Sequence, residues 1–310
     1  MHAVLYHNVI QGPLDEFDRA AGRTDVGDFC RQMESLLARF DFVTPAKLLQ
    51  VLETGEPHGQ DLLLTFDDGH HGLLVNAMPV LRALGITAIV FVVTHHVRSA
   101  EMRLMHFDEL EAAFRWTPVR SALLQFPGLG PVQLDCAAAR VDCMQRVKQI
   151  LKTLPEQQRS LLHGAVLSAL KVDAAEIAYR GRDDERFRTM AWCEMRSMMA
   201  AGFAFGGHTR SHRTVSQLAD EEAVSEIAGC FEDLREGLDV VPTCFAYPYG
   251  QPEHVGNKAP VMVREAGFAC AFTTTPGPVR PEDDRFRLSR NYYQQMPRAD
   301  IKSSFSARQC

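Results

Sequence analysis

Asp61-Leu62-Leu63-Leu64-Thr65-Phe66-Asp67-Asp68-Gly69 is the stretch on which the reading of the fold turns. Its apolar part has the length and composition of a strand buried on both faces, and Asp67, Asp68 and Gly69 break it into a loop. Aspartate and glycine suit any strand-ending turn, so the triplet alone fits an ordinary turn as well as a site. Two adjacent anions at the rim of an apolar strand are nevertheless costly unless something cationic sits against them, and a divalent metal is the economical cation.

Outward from this stretch, short apolar runs alternate with segments of helical period, the pattern of βα units and a largely parallel sheet. Strands are predicted at Ala3 to Tyr6, Leu62 to Phe66, Thr87 to Val93, Phe203 to Phe205, Thr243 to Ala246 and Cys270 to Thr273, with weaker ones near Phe42 and Arg287. Phe29, Met33, Leu36, Leu37 and Phe40 mark one helix face, Leu74, Met78, Leu81 and Leu84 another, and Ile227, Phe231 and Leu234 a third. The expected fold class is α/β, an irregular (β/α)7-type barrel in a single domain spanning residues 1–310. From about 98 to 188 the rhythm stops, and amphipathic pieces without a convincing strand suggest a helical insertion. Phe126 to Pro131 is a turn region within it, and Arg180 to Arg186 reads as an exposed linker.

With 33 basic against 39 acidic residues the formal charge is -6, and no basic block favours nucleic acid or an anionic membrane surface. No apolar stretch is long enough to span a membrane, and Met1 to His7 lacks the basic flank and apolar core of a leader. A cytoplasmic location is therefore expected. The eight cysteines show no C-x-x-C spacing and read as free thiols. Oligomeric state is not legible.

The polar residues of interest fall just after predicted strands, where a βα barrel gathers distant segments onto one face. These are His7, the Asp67-Asp68 pair, His95 and His96, His208 in His208-Thr209-Arg210-Ser211-His212, and Tyr247-Pro248-Tyr249-Gly250. Histidines four apart lie on one side of a helical turn, and with one carboxylate they make a three-ligand site that leaves positions for water. An ion there would polarise a carbonyl and acidify water, and the second aspartate would take the proton. Taken alone, such a histidine pair is more often solvated surface. His106, His163 and His254 look incidental, His70 and His71 read equally as solvated loop, and Trp116, Phe126 and Trp192 read as packing.

The series TFDDG, His208-Thr-x-x-His212 and Phe245-Ala-Tyr-Pro-Tyr-Gly250 resembles, in order and separation, the polysaccharide deacetylases of carbohydrate esterase family four. The resemblance implies Asp67 as general base, Asp68, His208 and His212 as metal ligands, usually to zinc, and the Tyr249 backbone as an oxyanion donor. An arginine common in the third motif is replaced by Ala246, and Arg290 is the candidate substitute. No histidine follows His254 to serve as the family's late general acid. Val4-Leu5-Tyr6-His7-Asn8-Val9 instead looks like the N-terminal segment of the circularly permuted branch, similar to poly-N-acetylglucosamine deacetylases, which implies His7 as the acid. The implied activity is metal-dependent removal of N-acetyl groups from amino sugars, with a carbohydrate partner. Hydrolysis of a small amide or acetyl ester, and a catalytically silent carbohydrate-binding protein, are the alternatives.

Overall fold

A computed structural model describes residues 1–54, 59–97 and 104–297. Seven parallel strands form the main path: β1 (His2–Tyr6), β2 (Asp61–Phe66), β3 (Ala88–Val92), β4 (Ala204–Gly207), β5 (Cys244–Ala246), β6 (Cys270–Phe272) and β7 (Asn291–Tyr292). Their spatial order is β6-β5-β4-β3-β2-β1-β7, with a short strand, Asp41–Phe42, pairing beside β2. The segment leading into β7 closes the ring. Leu288 bridges in parallel to Phe272 of β6, while Asn291 pairs with Val4 of β1. This is the expected α/β, (β/α)7-type barrel.

The strands follow from their composition. β2 and β3 are buried along their whole length, and their apolar residues pack on both faces. On one side Val4, Tyr6, Leu64 and Phe66 meet Phe29, Met33 and Leu36, the apolar stripe of the helix Val26–Leu37. Asp25 caps that helix, its side chain accepting from the backbone N–H groups of Gly27 and Asp28. Phe29 is fully buried, so Phe29→Ala should cost about 3–5 kcal/mol. On the other side Ala3, Leu63, Ile89, Phe91, Ala246 and Phe272 cluster together. The two-residue period that sends Leu63 and Thr65 to this side of β2 sends Asp67 there too, as Ala3 and Leu5 do for His7.

Between β3 and β4 the chain carries the helices His106–Trp116, Ala137–Thr153, Glu156–Ala169 and Ala174–Gly181. These build their own core around Leu110, Phe114, Met144, Val147 and Val166. The start of the expected insertion, residues 98–103, lies outside the described residues. Two expectations need correcting. The insertion is not wholly helical, because Ser121–Leu124 and Gly130–Gln133 pair as an antiparallel hairpin around the proline and glycine turn. Its strands are only four residues long with a single buried residue each, so they lack the apolar run that marks the barrel strands. The charged end is also more than an exposed linker. Arg186 pairs with Asp18 at 3.0 Å, and Phe187 is buried against Trp116.

Cys136, Cys143, Cys193, Cys230, Cys244 and Cys270 are free thiols, as expected. Among the described residues no helix is long and apolar enough to cross a membrane.

Candidate active site

The exits of β1, β2, β4 and β5 meet at one rim. Tyr6 pairs with Phe66, so His7 and Asp67 leave their strands at the same level, and the Asp67 N–H donates to the Tyr6 carbonyl at 3.0 Å. Asp68 then takes a left-handed backbone, φ 76°, followed by Gly69 at 81°, and this tight reversal turns adjacent carboxylates to different tasks.

β4 brings His208 in from the next sector. Gly206 is required there, because a Cβ would lie 2.4 Å from the Cys244 carbonyl oxygen and 2.8 Å from the Phe91 ring. This close approach lets His208 Nδ1–H donate to the Ala246 carbonyl at 2.7 Å. A carbonyl can only accept, so the proton sits on Nδ1 and Nε2 keeps a free lone pair. His212 returns to the same point by a route the spacing did not suggest. Residues 208–212 are a loop, not a helical turn, and left-handed conformations at Thr209 (φ 61°) and His212 (φ 57°) fold it back.

The result is a tight, buried group. Asp68 Oδ1 lies 3.7 Å from His208 Nε2 and 3.5 Å from His212 Nε2, and one ligand atom from each of Asp68, His208 and His212 lies within 4.8 Å of the others. These separations suit three donors around a common cation. Asp68 Oδ1 is buried with no hydrogen-bond partner, and burial pushes the carboxyl up to about 7, His70 opposing and Asp67 and Asp108 adding to the rise. An anion in that state lacks a positive charge, and two imidazoles and a carboxylate are a donor set that fits a divalent transition metal.

Asp67 stands apart from this group electrically. Both its oxygens are held by Arg290, at 2.7 and 2.9 Å, and the guanidinium is itself buried, donating from Nε to the Thr273 carbonyl at 3.0 Å. Burial works against the Asp67 charge, but Arg290, with His208, outweighs it and holds the carboxyl below the ordinary value. Asp67 Oδ2 lies 4.0 Å from His208 Nε2. Arg290 thus contacts the aspartate that the missing arginine at Ala246 left without a sequence-evident partner.

His7 and Tyr249 line the same cleft, of about 820 Å³, as Asp67, Asp68, His208 and His212. The His7 ring stacks on Tyr292 at 6.4 Å, and burial, only partly opposed by Asp67, pushes it down to about 4. Tyr249 is left-handed, φ 62°, its carbonyl accepting from Thr274 at 2.7 Å, while its backbone N–H has no hydrogen-bond acceptor among the described residues.

Some neighbours were missed or set aside. His106, read as incidental, approaches the Tyr249 hydroxyl at 3.1 Å, and the Phe107 ring lies 4.8 Å from that of His212. His254 also borders the cleft, its ring 5.4 Å from that of Tyr249. His70 is buried, pairing with Asp108 at 3.0 Å, and Asp108 is joined through Arg23 to Glu111. His95 and His96 do not line the cleft. His106, Phe107, Asp108 and Glu111 all arrive on the insertion helix His106–Trp116, whose placement no local motif announces.

The polysaccharide deacetylase family model matches residues 54–115 and 144–270, more than half of the chain, and the chain belongs to that family. The unmatched parts include β1 and β7, the strands that place His7 and Arg290. Several solved structures share the fold. The Streptococcus pyogenes deacetylase PplD, in complex with acetate, superposes with a TM-score of 0.58 at 14% identity over 94% of this chain and 91% of that one. IcaB from Ammonifex degensii gives 0.57 at 17% identity, covering 95% and 94%. A de-N-acetylase from Aggregatibacter actinomycetemcomitans gives 0.53 at 11% identity, covering 94% and 93%. No protein of curated function matches the sequence.

Proposed function

We propose that this protein hydrolyses the N-acetyl group of an amino sugar in a glycan or glycan precursor, releasing acetate and leaving a free amine. The reading rests on one arrangement above all. Asp68 Oδ1 faces both histidine Nε2 atoms, at 3.5 and 3.7 Å, beside a second aspartate that Arg290 keeps ionised and outside the group. Family membership and the fold shared with a de-N-acetylase support an amide of an amino sugar as the bond cleaved.

Asp68, His208 and His212 would hold a divalent ion, with zinc the best match to two imidazoles and one carboxylate. Such an ion supplies Lewis acidity toward the amide carbonyl. Asp67 takes the proton of the attacking water, a role that needs the carboxylate Arg290 preserves. The N–H of Tyr249 donates to the oxygen that becomes negative as the tetrahedral intermediate forms. His7, neutral at rest, relays to the departing amine the proton that Asp67 has taken from the water. Burial leaves it with low proton affinity, so a proton that reaches it during turnover is readily released. Phe107 packs over His212 and, with the buried strand exits, limits water at the reacting carbonyl.

The test is acetate release from chitooligosaccharides before chelation, after chelation and after adding back zinc. Turnover lost with chelator and restored by metal supports the reading. Sugar binding by calorimetry without acetate release would leave a carbohydrate binder, and full turnover in a metal-free protein would remove the proposed site.

A further inference from the structure

We propose that the sugar this cleft accepts carries an anionic substituent, a phosphate or a carboxylate, held by Lys148 and Lys152 of the insertion. This rests on the deacetylase reading and narrows its substrate class.

The two lysines lie one helical turn apart on the helix Ala137–Thr153, and both line the cleft together with Gln145 and Gln149. Like charges at this spacing repel and weaken a helix, so the arrangement costs stability unless something negative joins it. Among the described residues, neither ammonium has a carboxylate within ion-pair distance. The carboxylates that Lys148 feels, Glu111 and Asp108, are already engaged: Glu111 by Arg23 at 2.7 Å and Arg115 at 2.8 Å, Asp108 by His70 at 3.0 Å. Burial lowers the proton affinity of both lysines, and Lys152 repels the charge on Lys148 further. Lys152 Nζ also sits 4.8 Å from the centre of the Tyr249 ring, which places the pair beside the proposed reacting centre.

The charge balance of the cleft points the same way. Arg23 also lines the cleft, but Glu111 at 2.7 Å and Asp18 at 3.5 Å meet its charge, so Arg19, exposed at the mouth, is the third cation not already paired. Among lining carboxylates, Asp67 is bound to Arg290 and Asp68 belongs to the ligand group, which leaves Glu253 alone against three positive groups. This local excess stands out in a chain of formal charge -6. Partly buried ammoniums with no direct ion pair, the carboxylates nearest Lys148 being already shared with arginines and His70, are a poor lining for a neutral sugar and a good one for an anion.

The experiment compares N-acetylglucosamine, N-acetylglucosamine 6-phosphate and N-acetylmuramic acid at fixed ionic strength with the metal-loaded protein. kcat/KM for at least one anionic sugar should exceed that for N-acetylglucosamine by about tenfold or more, and which of the two gains separates phosphate from carboxylate. In the Lys148→Gln, Lys152→Gln double variant the ratio should fall close to one, mainly through KM, while Lys152→Arg should keep it. Equal kcat/KM for all three sugars in the unaltered protein would overturn the proposal. So would a preference that survives in the double variant, since the anion would then be held by the metal or elsewhere. Should the double variant fail to fold, as read by circular dichroism, Lys152→Gln alone carries the comparison, with at least about a threefold fall in the ratio expected. Calorimetry with the same sugars separates the two readings. If no sugar releases acetate the deacetylase assignment fails, and this inference then stands or falls on whether an anionic sugar binds more tightly than N-acetylglucosamine and loses that advantage in the variants.

Discussion

The guanidinium of Arg290 spans both oxygens of Asp67, at 2.7 and 2.9 Å, although 223 positions separate the two residues. A buried carboxylate keeps its charge only beside such a partner. Arg290→Gln should therefore raise the proton affinity of Asp67. The sign is clear: a base that must be deprotonated becomes harder to deprotonate, so the acid limb of the kcat/KM profile moves to higher pH. We expect a loss in kcat of about 10²-fold or more, and a stability cost of about 3–5 kcal/mol from the orphaned carboxylate. An unshifted profile would separate Arg290 from the base.

His208→Ala and Asp68→Asn should each remove bound metal and turnover together. Metal content by mass spectrometry of the purified variants, set beside acetate release, checks this. A His208→Ala protein with full activity and no metal would defeat the ligand assignment.

His7→Ala should leave metal content unchanged and lower kcat by about 10²–10⁴-fold. The loss should shrink for an acetyl ester with a good leaving group, which departs without needing a proton. An equal loss on both substrates would assign His7 to packing against Tyr292.

Tyr249→Phe should retain turnover within about an order of magnitude, because the proposed donor is the backbone N–H and that group is kept. The hydroxyl lost is the one beside His106. Tyr249→Val, by contrast, forces a β-branched residue into a left-handed position and should cost about 1–3 kcal/mol in thermal unfolding.

The buried cluster of Arg23, Asp108 and Glu111 gives a pH prediction. Burial alone would raise the Glu111 carboxyl, but Arg23 and the other cations hold it below its ordinary value of 4.5. A depressed carboxyl stabilises the folded state above the unfolded value and loses that contribution as pH falls through the folded one. Glu111→Gln should thus be markedly less stable than the unaltered protein near pH 7, with the gap closing below about pH 4. Urea midpoints at the two pH values measure it.

The barrel was legible because its longer strands are largely apolar runs such as Leu62 to Leu64 and Ala88 to Val92, which few other structures can use. Asp67 and His208 were legible because each follows a predicted strand, and Asp68 and His212 because they lie one and four positions beyond them. Their conformation was not. Four-residue spacing suggests a helix, whereas the chain uses left-handed turns at Thr209 and His212 that no residue type there announces. Arg290 could be named only as a candidate, since ring closure decides its position. His106, Phe107, Lys148 and Lys152 were out of reach, because a polar or aromatic residue on a helix looks the same whether the helix faces water or folds over a cleft. The hairpin at Ser121–Leu124 escaped for the opposite reason, having too little apolar surface to mark it.

Ring closure has a consequence for biosynthesis. A chain leaving the ribosome carries Asp67, Asp68 and both histidines well before the closing segment from Leu288 to Tyr292 emerges. Until that segment docks between the first and sixth strands, Arg290 does not reach Asp67, and the base of the proposed hydrolysis lacks the partner that holds its charge. Under the proposed mechanism, the full hydrolytic rate therefore arrives only with completion of the fold.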